Sequence, residues 1–214
     1  MEFSEVLARR RMVRDYDPDR GVDRAVVDRL LSAAIRAPSA GFSQGWDFLA
    51  LTAAADRDLF WATTSTHGAP DAWLTGMQSA PVLILCLSNK DAYLSRYAEP
   101  DKGFDDGDED RWPVPYWDVD TGMAGMLILL AAVDEGLGAC FFGVAPDRQD
   151  AVKQAFEVPA GRTIVGVVSV GHPAADETRL GSDRTRARRG VGEAGHDGRF
   201  GIPWRDQSEA LSPS

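Results

Sequence analysis

Cysteine and histidine are scarce in this chain of 214 residues, with two of the first and three of the second. Cys86 lies in "VLILCLS" and Cys140 in "LGACFFG", both inside apolar runs. With no CxxC pair, they read as buried free thiols of a reducing cytoplasm. His67, His172 and His196 are far apart, and HExxH is missing, which argues against a zinc or iron site. There is no GxSxG elbow. No strand candidate is followed by GxGxxG and no GxxxxGK[ST] occurs, so neither a Rossmann dinucleotide site nor a P-loop is encoded. The acidic run "DDGDED" (105–110) lacks a calcium loop's spacing and closing glutamate, and reads as a solvated loop.

Long hydrophobic runs are also lacking. The longest, "GMAGMLILLAAV" (122–133), falls short of the roughly 18–20 residues of a membrane span. "MEFSEVLARRR" has no signal-peptide core. Positive charge is in deficit, 23 Lys and Arg against 33 Asp and Glu, for a net charge of −10. That disfavours general nucleic-acid binding and docking on an anionic membrane. The expectation is a cytoplasmic protein, partnered by neither nucleic acid nor membrane, with chemistry supplied by a bound cofactor.

The hydrophobic fraction of 44% suffices for a core without disulfides or metal. Phe3, Val6, Leu7 and Arg10 fit a short first helix. Asp23 is placed to cap a second, whose apolar face is Val26, Val27, Leu30, Leu31, Ala34 and Ile35. Pro38 biases Ala37 away from helix and ends it. Strands are expected at 46–52, 81–88, 139–144 and 163–171, and helices at 55–64 and 147–156. Residues 89–117 show no clear period and read as an irregular acidic, aromatic loop. Asp120 and Thr121 offer a cap for a nearly all-apolar helix ending at Glu135, with Gly136 as its stop. Helices followed by alternating strands and helices give an α+β or α/β sandwich.

Against the acidic background stand two arginine clusters. "LARRRMVRDYD" (7–17) carries Arg9, Arg10, Arg11 and Arg14, and "RLGSDRTRARR" (179–189) carries Arg179, Arg184, Arg186, Arg188 and Arg189. Guanidinium forks match phosphate oxygens two at a time. Arginines also populate helix ends, where cations suit the dipole, so both readings stand. A third stretch, "APSAGFSQGWDF" (37–48), follows a helix with small residues whose backbone can approach a flat ligand. An ordinary helix–strand loop has the same composition.

Together, "RRRMVRDYD", "APSAGFSQGWDFLAL", "DTGMAGMLILLAAVDEGLGACFFGV", "VGVVSVGHP" and "RARRGV" resemble, in order and spacing, the nitroreductase superfamily of FMN-dependent flavoproteins. The resemblance spans residues 1–200 as a single domain, with a variable lid at about 89–117 and a tail at 201–214. It implies an α+β fold with a mostly antiparallel central sheet flanked by helices. It also implies an intertwined homodimer with a long buried central helix and FMN at the subunit interface. On this resemblance Arg10, Arg11 and Arg14 grip the flavin phosphate and ribityl chain, with Met12 contributing backbone. Pro38, Ser39, Ala40, Ser43 and Gln44 lie beside the flavin of the other subunit. Phe142 and Gly143 pass its ring, and Arg188 and Arg186 close on the phosphate. Tyr93, Tyr97, Trp112 and Trp117, with Phe42, are pocket candidates for the acceptor; the lid aromatics equally suit packing on the protein itself.

The implied activity is ping-pong transfer from NAD(P)H through FMN to a small acceptor such as a quinone or nitroarene. A deazaflavin donor is an alternative. So are an oxidase or flavin-fragmenting enzyme of the dimethylbenzimidazole synthase type, which "APSAGFSQ" resembles, and a non-catalytic flavin-binding protein. No protein side chain is assigned as catalytic. Three departures from the family pattern stand out. Met12 replaces a common serine, Phe42 a polar asparagine, and Gly45 a proline, the last expected to loosen entry to the strand.

Overall fold

The computed structural model describes residues 1–65, 72–103, 108–175 and 185–204. Thus His67, Phe104, Asp105–Gly107 of the acidic run, Arg179, Arg184 and the last ten residues of the tail lie outside the described residues. The chain divides into two compact units, Met1–Thr178 and Arg179–Ser214.

In the first unit, helices α1 (Phe3–Arg9) and α2 (Arg24–Ala34) lead through a 3-10 turn at Ala40–Phe42 to strand β1 (Trp46–Leu51). Then come α3 (Ala54–Thr64), α4 (Ala72–Gln78), β2 (Val82–Asn89), α5 (Lys90–Tyr97), α6 (Tyr116–Asp134), β3 (Gly138–Phe142), α7 (Gln149–Ala155) and β4 (Arg162–Gly171). The four strands form one sheet in the order β1-β2-β4-β3, with every neighbouring pair antiparallel. The fold is α+β, one of the two classes the sequence pattern left open and the one the resemblance implied.

Strand β2 is apolar on both faces because both faces are covered. Val82, Ile84 and Cys86 join Val27, Leu30 and Ala34 of α2 and Ala124, Ile128 and Ala132 of α6 in one core. Leu83, Leu85 and Leu87 join Phe60 and Trp61 of α3 and Val152 of α7 in the other. Strand alternation therefore feeds two layers of helices. A register shift opposite Cys86 and Leu87 skips Val165, so Ile164 and Val167, three residues apart, share the second core.

Two sequence expectations are corrected. The stretch 89–117 is not wholly irregular: α5 occupies Lys90–Tyr97, and a 3-10 turn follows at Glu109–Arg111. Tyr93 and Tyr97 are four residues apart on one face of α5, a spacing hidden by the acidic and aromatic composition around it. Helix α6 also begins four residues before Asp120, after Pro115, whose fixed φ suits a helix start. Asp120 and Thr121 are therefore interior residues; the Thr121 hydroxyl donates to Trp117 O at 2.7 Å. At 19 residues α6 meets the length and composition of a membrane span. Its buried face, though, packs into the first core. Val119, Met123 and Met126 on its other side are exposed, so the helix is not covered all round within one chain.

Candidate functional site

The arginine stretch is fastened to the sheet through its backbone. Met12 pairs with Ala139 as a parallel bridge beside β3, and Val13 N–H donates to Ala139 O at 3.0 Å. Two residues past the last arginine, Tyr16 is buried, and its hydroxyl lies 2.7 Å from both Val13 O and Ser169 Oγ. Extended backbone alternates its side chains, so Arg10, Met12 and Arg14 share one side and Arg11 and Val13 the other. Arg11 and Val13 line a cleft of about 160 Å³ with Arg9, with Val133 at the C-terminal end of α6, and with Gly136, Leu137 and Gly138, which lead into β3. Cations there face the negative end of the helix dipole. Arg10 is half-buried, and no described carboxylate pairs with it. The Met12 sulfur accepts weakly from Phe141 N–H at 3.5 Å, filling the sheet edge where a serine would leave a hydroxyl.

The 38–44 stretch is built differently. Gly41, Phe42 and Gln44 all have positive φ, at 63°, 57° and 50°. Two of the three are not glycine, which is uncommon and needs outside support. Side chains supply it. Asp120 Oδ2 accepts from Ala40 N–H at 2.9 Å and from the Tyr93 hydroxyl at 2.7 Å. Arg96 Nε donates to Gly41 O at 3.0 Å, and Ser39 Oγ accepts from Gln44 N–H at 3.0 Å. Asp120 is only 2% exposed and Tyr93 fully buried. Burial, then the bond to Asp120, raise the tyrosine pKa, so its proton stays in place as the donor. Gly45 is tightly packed: an added Cβ would lie 2.4 Å from the Tyr93 ring and 2.8 Å from Asn89 O. The expected loosening at this position is therefore absent, and a proline here would clash.

Above this loop an aromatic cleft of about 310 Å³ is lined by Ala40, Leu94, Tyr97, Trp112 and Tyr116, with Asp108 and Arg111 at its polar side. Trp112 stands at the centre of the lid aromatics, 4.6 Å from Tyr97 and 5.9 Å from both Tyr93 and Trp117 between ring centroids. Tyr97 and Trp112 line the cleft. Tyr93 and Trp117 are absent from its lining and pack behind it. Phe42 points outward, 74% exposed.

Strand registers fix where these parts lie. Trp46, just after the loop, is level with Ser88 and, through it, with Thr163 near the start of β4. Ala139, beside Met12, is level with Val170 near the end of β4. The loop and the arginine stretch thus occupy opposite edges and opposite ends of the sheet. The separation is about 20 Å or more, from seven residues along β4 and three strand spacings across. Helix α6 gives the same answer. Asp120 holds the loop and Val133 borders the arginine cleft, 13 residues and so about 20 Å apart along the axis.

At the end of β3, the Phe142 ring stacks on Trp61 at 5.7 Å, inside the second core. Gly143 is exposed, with open space where a side chain would be. Arg186 and Arg188 are exposed residues of the second unit, where Arg189 donates to Glu193 O near the short helix α8 (Val191–Ala194). Sequence reasoning missed Tyr16, Asp120 as a loop anchor, and Arg96. The signal for Asp120 was available: it continues the i, i+4 series of buried Ala124, Ile128 and Ala132.

A sheet of this topology between α2 and α6 on one side and α3 and α7 on the other, with an arginine strap at one corner, is a layered arrangement of α+β type. The Nitroreductase family model matches residues 7–172, most of the chain, and the protein belongs to that family. A relative from Archaeoglobus fulgidus, named "Putative NADH dehydrogenase/NAD(P)H nitroreductase", is 29% identical over 174 residues, covering 80% of this chain and 86% of its own. Among solved structures, an FMN-dependent nitroreductase of Clostridium difficile superposes with TM-score 0.65 at 20% identity, covering 91% of this chain and 98% of that one. A nitroreductase-type protein of Desulfovibrio desulfuricans, solved in complex with FMN, gives 0.61 at 22% identity, covering 89% and 98%. At these identities the two structures establish the fold.

Proposed function

We propose that this chain is an FMN-dependent NAD(P)H oxidoreductase acting on a small organic acceptor, a quinone or nitroarene. In this reading donor and acceptor use one site in turn, and the protein works as a homodimer with FMN at the seam. The observation that supports the reading is the diagonal placement of the arginine stretch and the 38–44 loop. One chain carries the arginines at one corner of the sheet and the loop at the other, about 20 Å away. A second copy brings a loop to the first copy's arginines. The exposed apolar side of α6, with Val119, Met123 and Met126, offers a surface on which two copies would meet.

The residues suit such a ligand. The half-buried Arg10 guanidinium, with no described carboxylate beside it, is a cation awaiting an anion. Arg10 and Arg14 would take the phosphate by forked hydrogen bonds, with Arg11 adding positive charge. Ser39, Ala40, Ser43 and Gln44 of the other copy would flank the ring edge, and the open backbone at Gly143 would let it pass close to β3. Bound FMN would supply the redox chemistry, taking two electrons from a nicotinamide donor and yielding them to the acceptor. The protein's part is to hold the two partners in turn at one place and keep water out; Tyr97, Trp112 and Tyr116 would clasp the acceptor. The names of the A. fulgidus and C. difficile relatives support the donor and the cofactor.

The test is an absorption spectrum of the purified chain followed by steady-state NAD(P)H oxidation with a quinone or nitroarene. Flavin bands and turnover above the free-FMN background are expected. A colourless protein that takes up no FMN at micromolar concentration would overturn the reading.

A further inference from the structure

The loop at 38–44 and the aromatic cleft are joined through shared supports, and those supports converge on one carboxylate. Asp120 is on α6, is 2% exposed, and accepts from two donors on different elements, Ala40 N–H in the loop and the Tyr93 hydroxyl on α5. Helix α5 then contacts the same loop twice more. Arg96 Nε holds Gly41 O, and the Tyr97 ring lies so near Gly41 that a Cβ there would be 2.6 Å from it. Ala40 and Tyr97 are also walls of the cleft. The left-handed conformations at Phe42 and Gln44 do not hold themselves.

We propose that Asp120 is a positioning residue: by bolting the Ala40 amide to the Tyr93 hydroxyl, it sets the loop for flavin binding and couples that loop to the acceptor cleft. This rests on the reading that the loop lies against FMN. The Tyr93 proton, held by burial and by Asp120, keeps the bolt closed across neutral pH. A carboxylate accepts from both donors at once with charge-assisted strength, and the oxygen of an asparagine in its place still accepts, more weakly.

The experiment uses the full chain with Asp120→Ala, Asp120→Asn, Tyr93→Phe and, as a control, Gln149→Ala. Gln149 of α7 brackets Ile164 by side-chain hydrogen bonds, in the helical layer on the face of the sheet opposite α6. Three quantities are read: hydrogen exchange at the Ala40 amide, FMN affinity by fluorescence quenching, and acceptor KM against kcat. For Asp120→Ala the Ala40 amide exchanges at least about tenfold faster, FMN Kd rises about tenfold, and acceptor KM rises more than kcat falls, as loss of a charge-assisted bond predicts. Asp120→Asn recovers most of the affinity, and Tyr93→Phe falls between. Gln149→Ala lowers the melting temperature without moving the other readouts. Faster Ala40 exchange with unchanged FMN affinity and KM would overturn the proposal, since the bolt would then serve folding alone. Unchanged exchange in Asp120→Ala would overturn it as well. A wild-type chain that binds no FMN would instead overturn the flavin reading, and with it the role assigned to Asp120. Should Asp120→Ala not fold, Asp120→Asn and Tyr93→Phe decide by the same measurements.

Discussion

The two corners of the sheet are secured in opposite ways. At the β3 corner the arginine stretch is held by its own backbone, paired with Ala139 and anchored by the Tyr16 hydroxyl, while the side chains of Arg10 and Arg14 extend from a fixed rail. At the β1 corner the backbone first meets a strand at Gly45, whose O accepts from Asn89 N–H at 2.9 Å, and three residues ahead of it adopt left-handed conformations. There the side chains of Asp120, Tyr93, Arg96 and Ser39 hold the main chain. A rail can present charge at repeated spacing, which suits a phosphate. A side-chain-braced loop can turn its backbone toward a flat molecule, which suits a ring. The rail should tolerate side-chain changes among its arginines and fail when its anchor is lost. The loop should fail when its buried brace at Asp120 or its packed glycines change.

The largest expected effect is at the anchor of the rail. Tyr16→Ala removes a fully buried ring and should cost about 3–5 kcal/mol in urea denaturation, enough to unfold much of the population. Tyr16→Phe, which strands the polar partners of the hydroxyl, should cost about 1–3 kcal/mol. A cost near zero for Tyr16→Phe would mean the rail is held by Val13 pairing alone. Next comes Gly45→Ala, whose new methyl meets the Tyr93 ring and Asn89 O; overpacking of this kind costs about 1–3 kcal/mol, read as a lowered denaturation midpoint. Arg10→Ala should behave the other way round: little change in the thermal midpoint, with FMN affinity down about tenfold to a hundredfold by fluorescence titration. If Arg10→Ala unfolds the protein and leaves affinity intact, the contrast between the corners is wrong. Smallest is Arg96→Ala. Its ion pairs with Glu99 and Asp101 are exposed and salt-screened, so only the bond to Gly41 O should register, as a slight acceleration of amide exchange in the loop.

Thiol chemistry offers a check on the core that separates the corners. Burial pushes the Cys86 thiol up to about 12, so in the folded protein it is neutral at pH 8. Ellman's reagent should label neither Cys86 nor Cys140 until denaturant is added. Because the unfolded thiol ionises at a lower pH than the folded one, this group favours the fold below the unfolded pKa. That contribution is lost as pH rises toward about 12.

Much of this was legible before any coordinates. The strands were found because Val82–Leu87 and Ile164–Val170 are apolar on both faces, a pattern only a doubly covered strand needs. Helix α2 was found because Val27, Leu30 and Ala34 keep helical spacing and Asp23 precedes them. What stayed hidden depends on partners far away in sequence. Asp120 looks like a cap because aspartate before an apolar run usually is one; only the fold brings Ala40 and Tyr93 to it. Tyr93 looks like a pocket residue because it sits among other aromatics, yet its hydroxyl is spent on Asp120, which holds the loop. Gly45 looked permissive because glycine usually is, and its real reason is a ring pressed against its α-carbon.

The diagonal spacing of rail and loop has a genetic consequence. If each working site draws one corner from either copy, a subunit changed at Arg10 and a subunit changed at Asp120 each work poorly alone when FMN is limiting. Mixed and allowed to exchange, half of the pairs are hybrids, and each hybrid carries one intact site beside one doubly damaged one. At limiting FMN the intact sites of the hybrids should supply about a quarter of the wild-type activity, above either weakened parent, whereas a site confined to a single chain would gain nothing from mixing.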